Sequence, residues 1–435
     1  MRPLQGFRDF YPEELAQRNY LFDTWRKVAR NYGFSEYDGP PLEELELYKR
    51  KSGNEIVGQL YHFVDKGGRE VALRPEMTPT LGRMMAARAG QLPKPIKWFS
   101  IPQLFRYERK QRGRLREHFQ LNMDIIGAPE VEADAELLAA VLDIQRALGL
   151  AEKDVVARVN DRRIVAGALT LLEVTEEQIP AVYNAIDKFR KVPDLTFREL
   201  LGEAGVPPTN IESLVTLCSG EASLFEWFAP QVDRAGLEET AGALAALERY
   251  LDLLGKQGLG GFVEVDFSVV RGLAYYTGIV FELHDRQGEL RAICGGGRYD
   301  NLIAALGGPD IPALGFGMGD VVQRELLKER GLLPEAPSRV AVAVIPVGET
   351  LADAARSVTR QLREAGISAE TPFSPVGVAK DLKAADRSHA RFAVIVGPDE
   401  WSEGEVKLKD LRSGKEERLS IERIMEMIRR SEESQ

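Results

Sequence analysis

A row of polar side chains alternates along the segment Arg114–Ile125. Every second residue carries a guanidinium, imidazole, amide or carboxylate group, and the positions between are apolar except Glu117. This period of two predicts a β-strand with one face in the core. The polar face is typical of a solvent-exposed strand, but such groups also fix a small charged ligand by directional hydrogen bonds. The six polar residues are Arg114, Arg116, His118, Gln120, Asn122 and Asp124.

Positive charge is concentrated at the start of this row. The stretch Arg106–Arg116 carries six basic residues against one acid, Glu108, in a chain whose net charge is -10. The negative total argues against a polyanion binder that works by an overall positive field. A basic run is more often a solvated loop than a site, so its density alone does not decide between the two.

Two further segments carry reactive groups near turns. Glu76 and Thr78 stand just before a predicted helix, where they would either cap the helix or meet a ligand ammonium. Arg271 lies on a tight turn at the head of a predicted strand and is followed by Tyr275 and Tyr276. A guanidinium in that position is either structural or well presented to a phosphate.

Several classes of protein are excluded by what the sequence lacks. The glycine-rich runs Cys294–Asp300 and Gly315–Gly319 do not have the spacing of a dinucleotide-binding loop or a P-loop, which leaves close approach to a planar ligand or strand-to-helix packing. Two cysteines and four scattered histidines predict no metal site built from protein ligands, and a reducing cytoplasm. No apolar run approaches the roughly 18 to 20 residues of a membrane span, so no membrane partner is expected.

The elements that position these groups predict an α+β protein of two or three domains, because 435 residues exceed a typical domain of about 150. Strands are predicted over Phe34–Asp38 and Ile96–Glu108. Helical patterns alone run through Ile164–Lys256 before strand signals resume, which predicts a helical insertion into one antiparallel-sheet domain. Alternating apolar strands and helices predict a small α/β domain at the end. The predicted boundaries are 1–163 and 258–331 for the sheet domain, 164–257 for the insertion, 332–338 for a linker and 339–435 for the last domain.

Together these residues resemble the motifs of a known family. Phe105–Glu108, the basic loop and the polar row look like motif 2 of class II aminoacyl-tRNA synthetases. Arg271–Gly278 and Gly296–Asp300 resemble the two signatures of the histidyl-tRNA synthetase family. The resemblance covers nearly the whole chain. It implies a class II antiparallel catalytic core with a helical insertion, followed by an anticodon-binding α/β domain.

The resemblance also implies an activity and its partners. The reaction is the ligase reaction in which ATP activates L-histidine to histidyl-adenylate and the histidine passes to tRNA(His), with Mg²⁺ accompanying ATP. A cytoplasmic homodimer formed through the first helix and the Phe34–Asp38 strand is implied as well. The resemblance implies Arg106 and Arg271 as the catalytic residues. The other residues implied are Glu108 and Arg114 for ATP; Glu76, Thr78, Gln120, Asp124, Tyr275 and Tyr276 for histidine; and Arg109, Gln111 and Arg112 for the tRNA acceptor end.

The chain departs from the family pattern at three positions. Ala274 replaces a common Asp, and Asp124 replaces a common Glu. Motif 3 usually ends in an arginine that stacks on adenine, but here Gly319 is followed by Asp320, Val321 and Val322, and the nearest arginine, Arg324, is two positions late. Either another group stacks on the base, or Arg324 reaches it, or ATP binding is impaired.

Two questions concern the C-terminal region. Its charge pattern predicts either a solvated helix or an anticodon-binding patch at helical spacing, with Asp381 and Asp386 turned elsewhere. The alternative to a synthetase is an inactive paralogue that serves as the histidine-sensing regulatory subunit of ATP phosphoribosyltransferase. Such paralogues typically lack the C-terminal domain, so the presence of Val340–Gln435 favours the synthetase. The residues of the predicted anticodon-binding patch are Lys380, Lys383, Arg387 and Arg391.

Overall fold

The computed structural model describes residues 2–52, 54–107, 113–220, 224–270, 276–288, 290–334 and 340–433. The chain divides into two compact units, Met1–Leu333 and Pro334–Gln435. The finer division of the first unit into core and insertion stays a prediction. Among the described residues, no helix has both the length and the apolar composition needed to cross a membrane.

The first unit opens on a helix whose ends follow from its sequence. Pro12 occupies the first turn, where its missing amide N–H costs no hydrogen bond, and Glu13 and Glu14 complement the positive end of the helix dipole. The helices of this unit are α1 Pro12–Asn31, α2 Leu45–Ser52, α3 Thr78–Arg88, α4 Val131–Ala147, α5 Arg162–Leu171, α6 Ile179–Ile186, α7 Asp194–Glu203, α8 Pro208–Ser219, α9 Ala229–Ala235, α10 Glu238–Lys256, α11 Leu302–Ala305 and α12 Asp320–Glu329.

The strands of the first unit form one large sheet and one small sheet. They are β1 Ser35–Glu36, β2 Leu42–Glu44, β3 His62–Val64, β4 Glu70–Leu73, β5 Ile96–Ser100, β6 Gln103–Phe105, β7 Glu117–Ile126, β8 Val155–Asp161, β9 Val263–Val265, β10 Ile279–Asp285, β11 Cys294–Arg298 and β12 Ala313–Gly319. Within the described residues, the large sheet runs β1-β5-β7-β12-β11-β10-β8-β9, with β6 paired to β7. Its pairs are antiparallel except β1 with β5 and β8 with β9. The predicted antiparallel core is confirmed.

The helical stretch predicted between two parts of the sheet appears in the structure. Helices α5 to α10 follow β8, and β9 then pairs with β8, so the chain returns to the strand it left. Their apolar faces join the same core as the sheet, including Leu201, Leu214 and Leu247. This arrangement lets the helices extend the core without interrupting the strand order.

One predicted strand is wrong in extent. Ile96–Glu108 was expected to form a single strand, but the structure divides its described part into β5 and β6. Pro102 lies between them and has no amide N–H to donate to a neighbouring strand. Residue Glu108 lies outside the described residues.

The second unit is a smaller α/β domain, as predicted. Its strands are β13 Val342–Pro346, β14 Ala369–Glu370, β15 Phe392–Val396, β16 Val406–Asp410 and β17 Glu416–Leu419. Its helices are α13 Ala352–Glu364, α14 Val378–Arg387, α15 Pro398–Ser402 and α16 Ile421–Glu433. The strand order is β14-β13-β15-β16-β17, parallel across the first three strands and antiparallel beyond them.

Candidate active site

The polar row lies on β7 from His118 to Asp124, in the middle of the large sheet, and its side chains spread over the neighbouring strand. The strand begins at Glu117 and not at Arg114 as the alternation predicts, so Arg114 and Arg116 precede it. Gln120 and Asp124 pair with Gly319 and Gly315 of β12. A Cβ added at Gly315 would lie 2.1 Å from Asp124 Oδ1, and one at Gly317 would lie 2.6 Å from Gln120 Nε2. The glycines of β12 are therefore needed because polar side chains of β7 occupy the space above them. Neither sequence-based explanation of this glycine run included that contact.

A first cavity, cavity A, gathers most residues implied for histidine. It is lined by Glu76 and Thr78 at the start of α3, Gln120 and Asp124 on β7, and Tyr276 before β10. These residues are distant in sequence, so the sheet and the α3 loop bring them together. The N-cap residue of α3 is Met77, whose side chain makes no capping hydrogen bond, and helix capping by Glu76 or Thr78 stays an alternative to ligand binding.

The carboxylate of Asp124 is held by a residue that the sequence analysis did not assign. The hydroxyl of Tyr299 donates a hydrogen bond to Asp124 Oδ1, and both side chains are buried. Tyr299 also lines cavity A. It belongs to the glycine-rich run Cys294–Asp300, so the signal was present, but nothing in the spacing linked this tyrosine to a residue of β7.

Asn122 is a second lining residue without an assigned role. Its side chain is buried in cavity A between Gln120 and Asp124, and its Oδ1 atom has no hydrogen-bond partner within the described residues. A buried acceptor without a partner costs about 1 to 3 kcal/mol. A ligand that donates a hydrogen bond at this point would remove that cost.

The loop before α3 is fixed to the sheet by a buried arginine. Arg74 donates to Asp38 Oδ1 at 2.7 Å, to the Gly39 carbonyl at 2.7 Å and to the Gln103 carbonyl at 3.0 Å. Arg106 then binds the same loop, because its Nε donates to the carbonyl of Pro75 at 3.0 Å. These bonds place Glu76, Thr78 and Arg106 on a rigid support, which catalysis by positioning requires.

A second cavity, cavity B, adjoins cavity A. Its lining includes Arg114, His118 and Glu282, and it crosses the four adjacent strands β7, β12, β11 and β10. Burial and the positive charge of neighbouring arginines lower the pKa of His118 to about 3. Its imidazole is therefore neutral at physiological pH. The two cavities share Arg106, Gln120, Gly295 and Gly317.

A buried ion network explains two irregular positions beside cavity B. Arg8 donates to both oxygens of Glu117 at 3.2 Å and to Asp320 Oδ2 at 2.7 Å. Asp320 Oδ1 also accepts the backbone N–H of Phe119 at 2.9 Å. Glu117 interrupts the apolar alternation because it pairs with Arg8, and Asp320 joins the start of α12 to β7.

Several predicted residues lie outside the described residues. These are Glu108 and the acceptor-end candidates in the basic loop, and Arg271 and Tyr275 in the segment before β10. Arg114 is described and lines cavity B. The acceptor-end candidates that lie outside the described residues are Arg109, Gln111 and Arg112.

The C-terminal patch differs in part from its predicted geometry. Lys380, Lys383 and Arg387 are exposed on α14, and Asp381 is turned inward, where it accepts the backbone N–H of Val376. Arg391 does not continue the helical spacing, because α14 ends at Arg387 and the chain turns into β15. The guanidinium of Arg391 instead lies over the Phe392 ring, 5.0 Å from its centre.

Comparisons with known proteins agree with this architecture. Residues 6–319 match the family model described as histidyl-tRNA synthetase, and residues 341–431 match the one described as an anticodon binding domain. The histidine–tRNA ligase of Opitutus terrae is 46% identical over 98% of this chain and 97% of its own length. The chloroplastic and mitochondrial histidine–tRNA ligase of Arabidopsis thaliana is 42% identical over 97% of this chain and 85% of its own length.

A solved structure gives the same result for the fold. The crystal structure of histidyl-tRNA synthetase from Nostoc sp. PCC 7120 superposes with a TM-score of 0.87 at 27% identity, covering 99% of both chains. Sequence relatives, family models and fold all point to one group of aminoacyl-tRNA ligases. The chain belongs to the histidyl-tRNA synthetase family.

Proposed function

We propose that this chain activates histidine with ATP and transfers it to tRNA(His). The observation that carries the proposal is the junction of cavities A and B at Arg106 and Gln120. Activation joins a carboxylate to an α-phosphate, so the amino acid and the nucleotide must meet at one point. A guanidinium at that junction can hold both negative groups, because it has five N–H donors in a planar fork.

Cavity A supplies the partners that an imidazole side chain needs. An imidazole presents one donor and one acceptor, so it must meet both kinds of group at a fixed separation. The Asp124 carboxylate accepts a hydrogen bond from the ring N–H, and the Tyr276 hydroxyl donates one to the other ring nitrogen. Tyr299 orients the carboxylate by its hydrogen bond to Oδ1. The α-ammonium group is held by Glu76, Thr78 and Gln120, and Tyr275 belongs to the same proposed set.

ATP binds in cavity B through arginines. Arg106 binds the α-phosphate from one side and Arg271 from the other. Glu108 and Arg114 complete the nucleotide site. Two guanidiniums stabilise the charge that develops on the phosphate without reorganising. Among the described lining residues, Glu282 is the one carboxylate. With phosphate oxygens and water it forms a donor set suited to Mg²⁺, which neutralises phosphate charge when bound.

The tRNA meets the chain at two places. The basic loop with Arg109, Gln111 and Arg112 contacts the acceptor end, by phosphate pairing and by an amide that reads a base edge. In the second unit, Lys380, Lys383 and Arg387 form an exposed basic row on α14. Arg391, which follows the end of that helix, is the fourth proposed contact. Phe373, 96% exposed in the segment before α14, is a surface on which an anticodon base can stack.

The proposed assembly is a cytoplasmic homodimer. Among the residues that the structure describes, strand β1 forms one edge of the large sheet and pairs with β5 alone, which leaves its other side for pairing with another chain. Sedimentation of the purified protein at several concentrations measures its mass. A monomer at all concentrations would contradict the dimer.

The direct experiment is histidine-dependent ATP–pyrophosphate exchange, followed by charging of tRNA(His). We expect exchange that requires histidine and ATP together. The regulatory paralogue would bind histidine without exchange, so a calorimetric signal with histidine and no exchange would favour it. The second unit supports the synthetase, because those paralogues typically lack this domain.

Replacement of Asp124 tests the proposed imidazole contact. We expect Asp124→Ala to raise the Michaelis constant for histidine about tenfold or more and to leave ATP binding in place, because the imidazole N–H loses a charged acceptor. Calorimetric titration with histidine and, separately, with ATP measures both affinities. Tyr299→Phe is the graded control, since it keeps the carboxylate and removes only the hydrogen bond that orients it. Unchanged histidine affinity in Asp124→Ala would eliminate this contact.

Removal of the second unit tests the anticodon site. A chain that ends at Pro337 keeps the first compact unit. We expect it to form adenylate but to charge tRNA(His) poorly, because the basic row on α14 is absent. Pyrophosphate exchange and aminoacylation measured on one preparation separate the two steps. Charging at the parental rate would count against the proposed contact.

A further inference from the structure

The chain lacks an arginine where its family places the one that stacks on adenine. Val322 occupies that position on α12, and both Val321 and Val322 line cavity B. An aliphatic side chain contacts a purine but has no charged planar group to stack on it. Stacking of that kind must therefore come from another position of the chain, or be missing.

Arg324, the arginine nearest in sequence, is directed to a different neighbour. Its terminal amino group donates to Gln17 Oε1 of α1 at 2.9 Å. Arg324 is not among the described residues that line cavity B. This geometry removes one of the explanations that the sequence left open.

Arg291 lies beside position 322, where the family places its arginine. It precedes β11 and lines cavity B together with Val322. A Cβ added at Gly113 would lie 3.2 Å from Val322 Cγ2 and 3.7 Å from Arg291 Cδ. The two side chains therefore lie beside the same point, Val322 from α12 and Arg291 from the segment before β11. The guanidinium of Arg291 begins one bond beyond Cδ.

The surroundings of Arg291 include a wall against which a flat, uncharged ring can lie. Gly295 and Gly317 pair across β11 and β12 and both line cavity B, so bare backbone forms part of its wall. The His118 imidazole in the same cavity is neutral.

We propose that Arg291 binds the adenine ring of ATP by stacking its guanidinium on the base, in place of the missing arginine at position 322. The inference rests on the proposed function for the identity of its ligand. A guanidinium stacks well on an aromatic face because it is planar and weakly hydrated, and a lysine ammonium lacks that plane. Arg291 then acts in binding and not in the transfer step.

Steady-state exchange kinetics distinguish stacking from phosphate binding. We expect Arg291→Ala to raise the Michaelis constant for ATP about tenfold or more, as base-stacking losses do, with little change in the constants for histidine and pyrophosphate. Arg291→Lys should be nearly as impaired, because charge without a planar group does not restore stacking. Recovery in Arg291→Lys, or a parallel rise in the pyrophosphate constant, would assign Arg291 to the phosphates and overturn the proposal.

Adenosine gives a test that needs no catalysis. It carries the base but no phosphate, so calorimetry with adenosine on the intact protein measures the base contact directly. We expect weaker adenosine binding in Arg291→Ala and unchanged binding in Arg324→Ala, whose guanidinium bonds to Gln17. Equal affinities in all three proteins would overturn the proposal. Absence of exchange in the parental protein would instead reject the proposed function, and the adenosine result would still decide the role of Arg291.

Restoring the family's arginine provides an independent check. In the Arg291→Ala background, Val322→Arg should recover much of the lost adenosine affinity, because Val322 lies beside Gly113, where the Cδ atom of Arg291 also lies. Circular dichroism and thermal unfolding establish that the double variant folds. A folded double variant without recovery would show that the two positions do not serve one site.

Discussion

Arg106→Lys is expected to lower the rate of histidine activation about 30-fold to 1000-fold, the equivalent of about 2 to 4 kcal/mol of transition-state stabilisation. The lysine keeps the positive charge but loses the planar fork that can hold the carboxylate and the α-phosphate at the junction of the cavities. It also loses the Nε that binds the Pro75 carbonyl and thereby ties Arg106 to the α3 loop. Pyrophosphate exchange at saturating ATP and histidine measures the loss.

A matched control uses an arginine on the surface. Arg146 lies at the end of α4, is 58% exposed and pairs with Asp143. Arg146→Lys should exchange at the parental rate, because it touches neither cavity. Parental activity in Arg106→Lys as well would show that the junction does not need a guanidinium, and the assignment of Arg106 would fail.

Arg8→Met is expected to destabilise the first unit by about 3 to 5 kcal/mol, because two buried carboxylates, Glu117 and Asp320, lose their common cation. Methionine fills most of the aliphatic volume, so the loss reports charge and not a cavity. Chemical denaturation at pH 8 measures it. Arg249→Met is the control: its pair with Glu132 is exposed, and such pairs contribute less than about 1 kcal/mol.

The loss of stability caused by Arg8→Met should depend on pH in a defined direction. Burial raises the pKa of Asp320, and the Arg8 charge opposes that rise. Without Arg8 the pKa of the folded state lies further above the unfolded value. An acid of this kind destabilises the folded protein as pH rises above the unfolded pKa, and stability returns as pH falls. The variant should therefore lose less stability at pH 5 than at pH 8, and an equal loss at both would contradict the charge argument.

The sequence predicts the strand that carries the site residues better than the contacts between their side chains. The alternation along β7 is a local pattern, so its period of two places Gln120 and Asp124 on one face without any knowledge of the fold. The pairing of Asp124 with Tyr299 depends on which strands become neighbours and in which register. That pairing joins residues 175 positions apart, and no local pattern reports it.

The roles of two charged residues can be assigned only when the fold is known. Glu117 appears as a flaw in the alternation until Arg8, 109 positions away, is placed beside it. Arg298 lies in the glycine-rich run Cys294–Asp300, for which the sequence leaves both ligand approach and strand-to-helix packing open. Its guanidinium pairs with Asp134 and donates to the carbonyl of Ala128. Long-range partners of this kind decide whether a charged residue serves the ligand or the fold.

The overlap of β7 side chains with β12 glycines restricts how this cavity can diverge. A side chain at Gly315 would collide with the carboxylate of Asp124 within 2.1 Å, so a substitution there is blocked while Asp124 remains. Shortening residue 124 would remove only part of the obstacle, because the backbone carbonyl oxygen of Met123 would also lie 2.8 Å from that Cβ. Position 315 is therefore restricted to glycine by the backbone of β7 as well as by the side chain of Asp124. New amino-acid preferences at this site have to arise at other lining positions, and a library for altered specificity gains nothing by varying residue 315.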